Sequence, residues 1–394
     1  MRLSRSFHFL NLTQFLDALN ENLFKYTVIF YLIFRGNINS SYIMAITGAL
    51  FLLPFLVFSS FGGIMADRFS KAFVIRLTRA LQVVIVLFSY YFIHIHHEPF
   101  LYLCLFLLGT LSALFGPSKY GSIPELVEDK KMLSANGLIS AFTFFGIIIG
   151  TSLASFLDQI TDHNFGWMIL TSLAITLVGL ITSYCIEKIS AADVDKECPL
   201  FVYKELTDTF KDTNRVTNLS LIIWGYAYFL FMGAFIQMNI VPFSIETLGL
   251  GAEAGGYFFF FAAVGIGIGS LIASRVNSNL GTLPIKLVGI SLGCFLFKIF
   301  PFPYWVNSVW LLGLGICAGL YLVPTQTFIL EMSKLKQRGR NFGTANFLSF
   351  AFAFLSTGFL YMLAFMRISP SNSFVLFGGI NLLVAYFMHR KIKT

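Results

Sequence analysis

The chain has 394 residues, 57% of them apolar and 12% charged, with a mean hydropathy of +0.77 and a net charge of +8. Soluble domains carry about 25% charged residues, and a chain this apolar cannot bury its hydrocarbon surface against itself, so lipid must cover the remainder. That excludes an ordinary soluble enzyme or binding module. Because the basic residues sit in short loops between apolar runs, the positive charge points to membrane topology rather than to nucleic acid.

At about 20 residues per crossing there is room for roughly twelve spans. The first apolar run, 8–34, is too long for a cleavable signal and has no small-residue cleavage site, so it reads as span one. Asp17, Asn20, Glu21, Asn22 and Lys25 interrupt it. Asp17, Glu21 and Lys25 recur every four residues and stack on one helix face. A charge at mid-membrane costs roughly 2.5–3.5 kcal/mol, so this stripe should turn away from lipid. It either lines a polar cavity, with Asp17 or Glu21 as a proton carrier, or it is a structural charge pair. Span two, 41–65, runs into Gly62-Gly63-Ile64-Met65-Ala66-Asp67-Arg68-Phe69-Ser70-Lys71. The glycines allow close helix approach, Asp67 can cap or pair at the helix ends, and Arg68 and Lys71 face the inner surface. This loop resembles the cytoplasmic gating loop of the major facilitator superfamily; the alternative is a plain basic turn.

Spans three (77–95) and four (99–118) enclose His94, His96 and His97, a cluster too short and exposed to expect a metal, and no cofactor is expected elsewhere. Span four leads into FGPSKYGSIPELV at 115–127, whose two glycines and two prolines predict a broken helix end. Lys119 there either meets an anionic group or simply snorkels to the membrane edge. Tyr120 follows it. Spans five (135–157) and six (167–186) precede the one long polar stretch, about 187–215. The expected organisation is a six-span half over 1–190, a linker over 191–215 and a second half over 216–394. Spans seven to twelve fall near 216–243, 252–274, 283–300, 306–329, 342–366 and 373–389. In span seven, Trp224, Tyr226 and Tyr228 contact an acyl chain or pack, and Gln237 and Asn239 are the polar groups. The aromatic run Tyr257 to Phe261 faces lipid or the core. The five cysteines lack metal or redox spacing.

With the N-terminus inside, only Arg35, Lys298 and Arg367 of the 27 Lys and Arg residues fall to the outer segments, and Lys25 lies within span one. Both termini are therefore expected in the cytoplasm. Three matches indicate an internal repeat: GGIMADR at 62–68 with GSLIASR at 269–275, Pro117 with Pro324, and SANGLISAF at 134–142 with TANFLSFAF at 344–352. The offsets are 207, 207 and 210 residues. Asn136 and Asn346, related by that repeat, either line a cleft or cap helices. Direct six-span repeats imply two halves about an axis along the membrane normal, a substrate site between them and alternating access.

Several motifs resemble those of the bacterial lysophospholipid transporter family, a branch of the major facilitators. These are FLDALNEN at 15–22, ADRFSK at 66–71, FGPSKYGSIPELV with SANGLISAF, and VPTQTFILE at 323–331. The resemblance implies an all-α integral membrane protein with twelve transmembrane helices in two pseudo-repeats. It implies transfer of lysophospholipids from the outer to the cytoplasmic leaflet of the bacterial inner membrane, where an acyltransferase re-esterifies them. The residues it carries over are Glu21 with Asn22, Lys119 and, in span ten, Glu331. Span seven departs from the family: FLFMGAFIQMNIVPF at 229–243 has no basic residue to pair with the span-one acid, and Lys25 is the candidate replacement. A second reading is a proton-coupled exporter of a drug or siderophore. No span offers the polar cluster an enzyme would need. The expected partners are an amphiphilic substrate and membrane lipid, with the chain a monomer that does not bind nucleic acid.

Overall fold

The computed structural model describes residues 4–36, 39–128, 132–187, 218–275, 280–299, 303–332 and 338–392. Among them are twelve α-helices: α1 Arg5–Arg35, α2 Ser40–Arg68, α3 Lys71–His94, α4 Glu98–Leu126, α5 Met132–Ile160, α6 Phe165–Tyr184, α7 Leu219–Pro242, α8 Ala252–Arg275, α9 Leu283–Ile299, α10 Tyr304–Met332, α11 Arg338–Phe365 and α12 Pro370–Lys391. A π turn, Phe243–Thr247, extends α7. Ten of these helices are long and apolar enough to cross a membrane. The other two are α1, whose middle carries Asp17, Glu21 and Lys25, and α9, which has only 17 residues. The expected linker, 191–215, lies outside the described residues.

The chain forms two compact units, one of Met1–Asn37 with Ala49–Phe201 and one of Ile38–Gly48 with Val202–Thr394. In the first, α1 packs on α4, α5 and α6, and α3 packs on α4 and α6. In the second, the same pairs recur six helices later: α7 with α10, α11 and α12, and α9 with α10 and α12. This recurrence is the structural form of the sequence repeat. The first residues of α2 count with the second unit, where Ser40 Oγ donates to Glu246 Oε1 at 2.7 Å and the Tyr42 and Tyr361 rings meet edge to face.

The repeat-related glycines Gly62 and Gly269 act alike. A Cβ on Gly62 would lie 2.8 Å from Ala113 O of α4, and one on Gly269 would lie 2.2 Å from Ile316 O of α10. Both helix pairs therefore cross backbone to backbone, where only hydrogen fits. Ala113 O is also the carbonyl that Pro117, lacking an N–H, leaves without its intrahelical donor.

Two helix ends differ from the sequence reading. α3 begins at Lys71, ahead of the apolar run, because its first charged residues, Lys71 and Arg76, find partners on α4 and at the end of α6. α4 does not break at Pro117: it continues through Gly116, Pro117, Gly121 and Pro124 to Leu126. A membrane bundle tolerates such residues because neighbouring helices and hydroxyls satisfy the freed groups. The idea that a broken α4 end offers loose backbone groups to an anion is thus corrected; only the Lys119 side chain remains available for that role.

The inner core of the first unit lies at the end where α2 turns into α3. Phe7, Leu10, Ala72, Ile75, Phe115, Ile123, Val127, Ala135, Ile139 and Ile186 form one buried cluster there. It ties α1, α3, α4 and α5 together immediately beside the polar residues of the site.

Candidate functional site

The polar stripe of α1 reaches one residue further back than charge alone indicates. Gln14, Asp17, Glu21 and Lys25 follow one another at helical spacing, and each meets a different neighbour.

Gln14, 1% exposed, is a junction. Its Nε2 donates to Ile139 O at 2.9 Å and to Thr143 Oγ1 at 2.7 Å, both on α5. Its Oε1 accepts from Lys119 Nζ of α4 at 2.9 Å. Lys119 is buried, and its ammonium also lies 4.6 Å from the Tyr120 ring centroid and 5.6 Å from that of Phe115. Rings at this range favour a cation. Lys119 is therefore fixed by a neutral acceptor and π faces. Snorkelling to the membrane edge does not describe it. Tyr120 itself is exposed.

Asp17 belongs to a separate, dry cluster. Arg79 of α3 donates to Asp17 Oδ1 through Nη1, and the same Nη1 donates to Gln82 Oε1 at 2.6 Å. The guanidinium stands 4.6 Å from the Phe115 centroid. Arg79 is 1% exposed and Asp17 is 5% exposed. Arg79 lies in the first turn of span three, within α3, as the counter-ion of Asp17. A charge this deep is stable only when paired.

Glu21 is half-buried and accepts a hydrogen bond from Ser112 Oγ of α4. Lys25, one turn on and also half-buried, directs its ammonium at two rings, with both the Tyr26 and Phe51 centroids at 5.3 Å. The two side chains share a face, but the hydrogen-bond partner of Glu21 is Ser112 rather than Lys25, in contrast to the ion pairs Lys71–Glu125 and Arg79–Asp17. Among the described residues, neither Lys25 nor Lys119 has a carboxylate in contact, and the Glu21 carboxylate lies within electrostatic reach of both. Asn22 is buried and donates to Ala18 O of its own helix at 2.8 Å, away from this group. Asn20 Oδ1 accepts from Ser172 Oγ of α6 at 2.6 Å, and Thr13 and Thr182 share a 2.9 Å hydrogen bond, so the adjacent face of α1 is anchored to α6.

Of the loop residues, Lys71 is 4% exposed and its Nζ contacts Glu125 Oε1 of α4 at 2.5 Å. That contact joins the 62–71 motif to the 115–127 motif. Arg68 is exposed. Arg76 donates through Nη2 to Ile186 O at 2.7 Å and through Nε to Ser183 O at 3.3 Å, capping the carbonyl end of α6, where a cation is favoured. The side chains of Asp67, Asn136, Glu331 and Asn346 lie outside the described set.

The second unit is neutral where the first is charged. Along α7, Tyr228 donates to Asn381 Oδ1 of α12, and Asn239 Nδ2 donates to Pro370 O at 2.9 Å. Tyr226 Oη accepts from Gln326 Nε2 of α10 at 3.3 Å, and Tyr321 Oη donates to Gly225 O at 3.2 Å. Gln237 is half-buried on the same helix, and Trp224 is 44% exposed. Phe258, from the aromatic run, is core and stacks on Tyr304. The histidines of the α3–α4 loop are used locally: His96 shares a hydrogen bond with Tyr31 Oη at 3.2 Å, and His94 with Tyr90 O at 3.0 Å.

Gln14, Arg79, Ser112 and Glu125 were not singled out from the sequence. Gln14 was within reach, since it continues the α1 stripe. The partners Arg79 and Ser112 lie 62 and 91 residues from their acids, a pairing that local spacing does not encode.

Comparison with known proteins supplies the family. Residues 10–357 match the model of the Major Facilitator Superfamily. The lysophospholipid transporter LplT of Photorhabdus laumondii is 26% identical over 340 residues, covering 84% of this chain and 81% of that one. The LplT of Serratia proteamaculans is 25% identical over 350 residues, with the same coverage. Among solved structures, the nucleoside transporter NupG superposes with a TM-score of 0.72 at 14% identity, covering 99% of this chain and all of that one. A D-xylose–proton symporter gives 0.68 at 15% identity, covering 98% and 97%. These structural likenesses carry the fold alone. With a family match over most of its length and six-helix packing that recurs in both units, the chain belongs to the major facilitator superfamily.

Proposed function

We propose that the protein translocates lysophospholipids by alternating access, from the outer to the cytoplasmic leaflet of a bacterial inner membrane. The chain's termini lie in the cytoplasm on this reading, and a membrane acyltransferase re-esterifies the delivered lipid. One observation supports it above the others: Lys25 and Lys119 hold ammonium groups within the membrane-spanning helices, and among the described residues neither has a carboxylate in contact. An unpaired membrane charge is costly unless a ligand meets it. A phosphodiester supplies the missing anion, with Lys119 held by Gln14 and Lys25 by its aromatic neighbours. The acyl chain needs only apolar and aromatic surface, which 17% Phe, Trp and Tyr provides in abundance. The relatives named for lysophospholipid transport match over about four fifths of both chains, consistent with this chemistry. Asp17, neutralised by Arg79, has a structural role here, and the Lys71–Glu125 contact belongs to the gate at the loop end.

Glu21 supports a second reading. Among the described residues its carboxylate accepts from a hydroxyl, Ser112 Oγ, and has no cation in contact, as a proton carrier in an exporter of a drug or siderophore would. Spheroplasts expressing the chain separate the two. Labelled lysophosphatidylethanolamine should enter and be reacylated at an undiminished rate after the proton gradient is collapsed. Loss of uptake on collapse would favour the proton-coupled reading.

A further inference from the structure

The charges of the α1–α4 site do not cancel. Asp17 is neutralised in contact by Arg79, which leaves Glu21, Lys25 and Lys119. These three sum to a single positive charge. Building on the lysophospholipid reading above, we infer that this site selects a head group with a net negative charge. That head group is a phosphodiester of an uncharged polyol, preferred over a phosphodiester of an amino alcohol.

The geometry supports the inference beyond the sum. A zwitterionic head group would have to seat its own ammonium, and Glu21 is the acid on this face. Its carboxylate already accepts from Ser112 Oγ, with Lys25 one turn along α1, while Lys119, hydrogen-bonded to Gln14 two turns back on α1, acts on it at longer range. A third cation there would meet two like charges, a juxtaposition that weakens binding in a site of low dielectric. A polyol meets no such penalty, because its hydroxyls can both donate to Glu21 and accept from the ammonium groups. Lys119 cannot swing away readily, since Gln14 is itself held by Ile139 O and Thr143 Oγ1.

The test is displacement of a fluorescent lysophospholipid from the purified protein in nanodiscs. The competitors are lysophosphatidylglycerol and lysophosphatidylethanolamine of the same acyl chain. Lysophosphatidylglycerol should displace at about tenfold lower concentration, the low end of what a hydrogen bond to a charged group contributes. Lys25→Gln, which removes the excess charge, should bring the two competitors together, and Glu21→Gln should widen the gap. Equal displacement by both, or stronger displacement by lysophosphatidylethanolamine, in the unmodified protein overturns the inference and leaves lysophospholipid binding standing. If neither lysolipid competes and the fluorescent probe does not bind saturably, the lysophospholipid reading itself fails, and the inference with it.

Discussion

Arg79→Leu should destabilise the protein far more than the joint replacement of Arg79 and Asp17. In the native fold the two groups are 1% and 5% exposed, and the same Arg79 Nη1 also donates to Gln82 Oε1 at 2.6 Å. Removing the guanidinium leaves a carboxylate in a dry site between α1, α3 and the Phe115 ring. Breaking a buried pair in this way costs about 3–5 kcal/mol. The double variant Asp17→Asn with Arg79→Leu removes both charges, and such replacements are often neutral or stabilising. Thermal and denaturant unfolding of the purified variants in one detergent should give a steep loss for Arg79→Leu and a large recovery for the double variant. The recovered protein should also keep the proposed lysophospholipid transport if Asp17 serves as the counter-ion of Arg79; loss of transport in a well-folded double variant would instead support Asp17 as a proton carrier. The reasoning is refuted if Arg79→Leu changes stability by less than about 0.5 kcal/mol, the range of ordinary surface substitutions. Equal damage in the single and double variants would refute it as well.

The backbone crossings make a second comparison. Gly269→Ala should reduce folded yield and melting temperature sharply, because its Cβ would sit 2.2 Å from Ile316 O, and Gly62→Ala should do so less, at 2.8 Å from Ala113 O. Gly63→Ala, with nothing within 4 Å of the added methyl, should be silent in the same size-exclusion and melting assays. At the loop end, Glu125→Gln should weaken the 2.5 Å contact to the buried Lys71, and because the Glu125 side chain is 38% exposed the loss of stability should be about 1 kcal/mol or less. An unchanged unfolding midpoint for Glu125→Gln would show that this contact does not hold α3 to α4.

The helices were legible because each is a long apolar run, and the repeat was legible because GGIMADR and GSLIASR keep their first glycine and their Ala and Arg. The helix ends were less so. Lys71 and Arg76 look like loop residues until Glu125 and the α6 carbonyls accept them, and Pro117 looks like a breaker until α2 packs on the carbonyl it frees. The stripe on α1 was visible as a spacing, but its division was not. Whether a carboxylate is a counter-ion or a working group depends on what α3 and α4 present to it, and those partners come from far along the chain. The spacing made Lys25 the natural partner of Glu21; in the fold its ammonium lies against Tyr26 and Phe51.

Translocation by the purified protein in proteoliposomes tests the central claim most directly. A fluorescent lysophospholipid added to one leaflet should reach the other at a protein-dependent rate, with no imposed proton gradient. Lys119→Gln should reduce that rate while retaining the native melting temperature to within a few degrees. A rate equal to that of protein-free vesicles, or movement that begins only when a proton gradient is applied, would contradict the account.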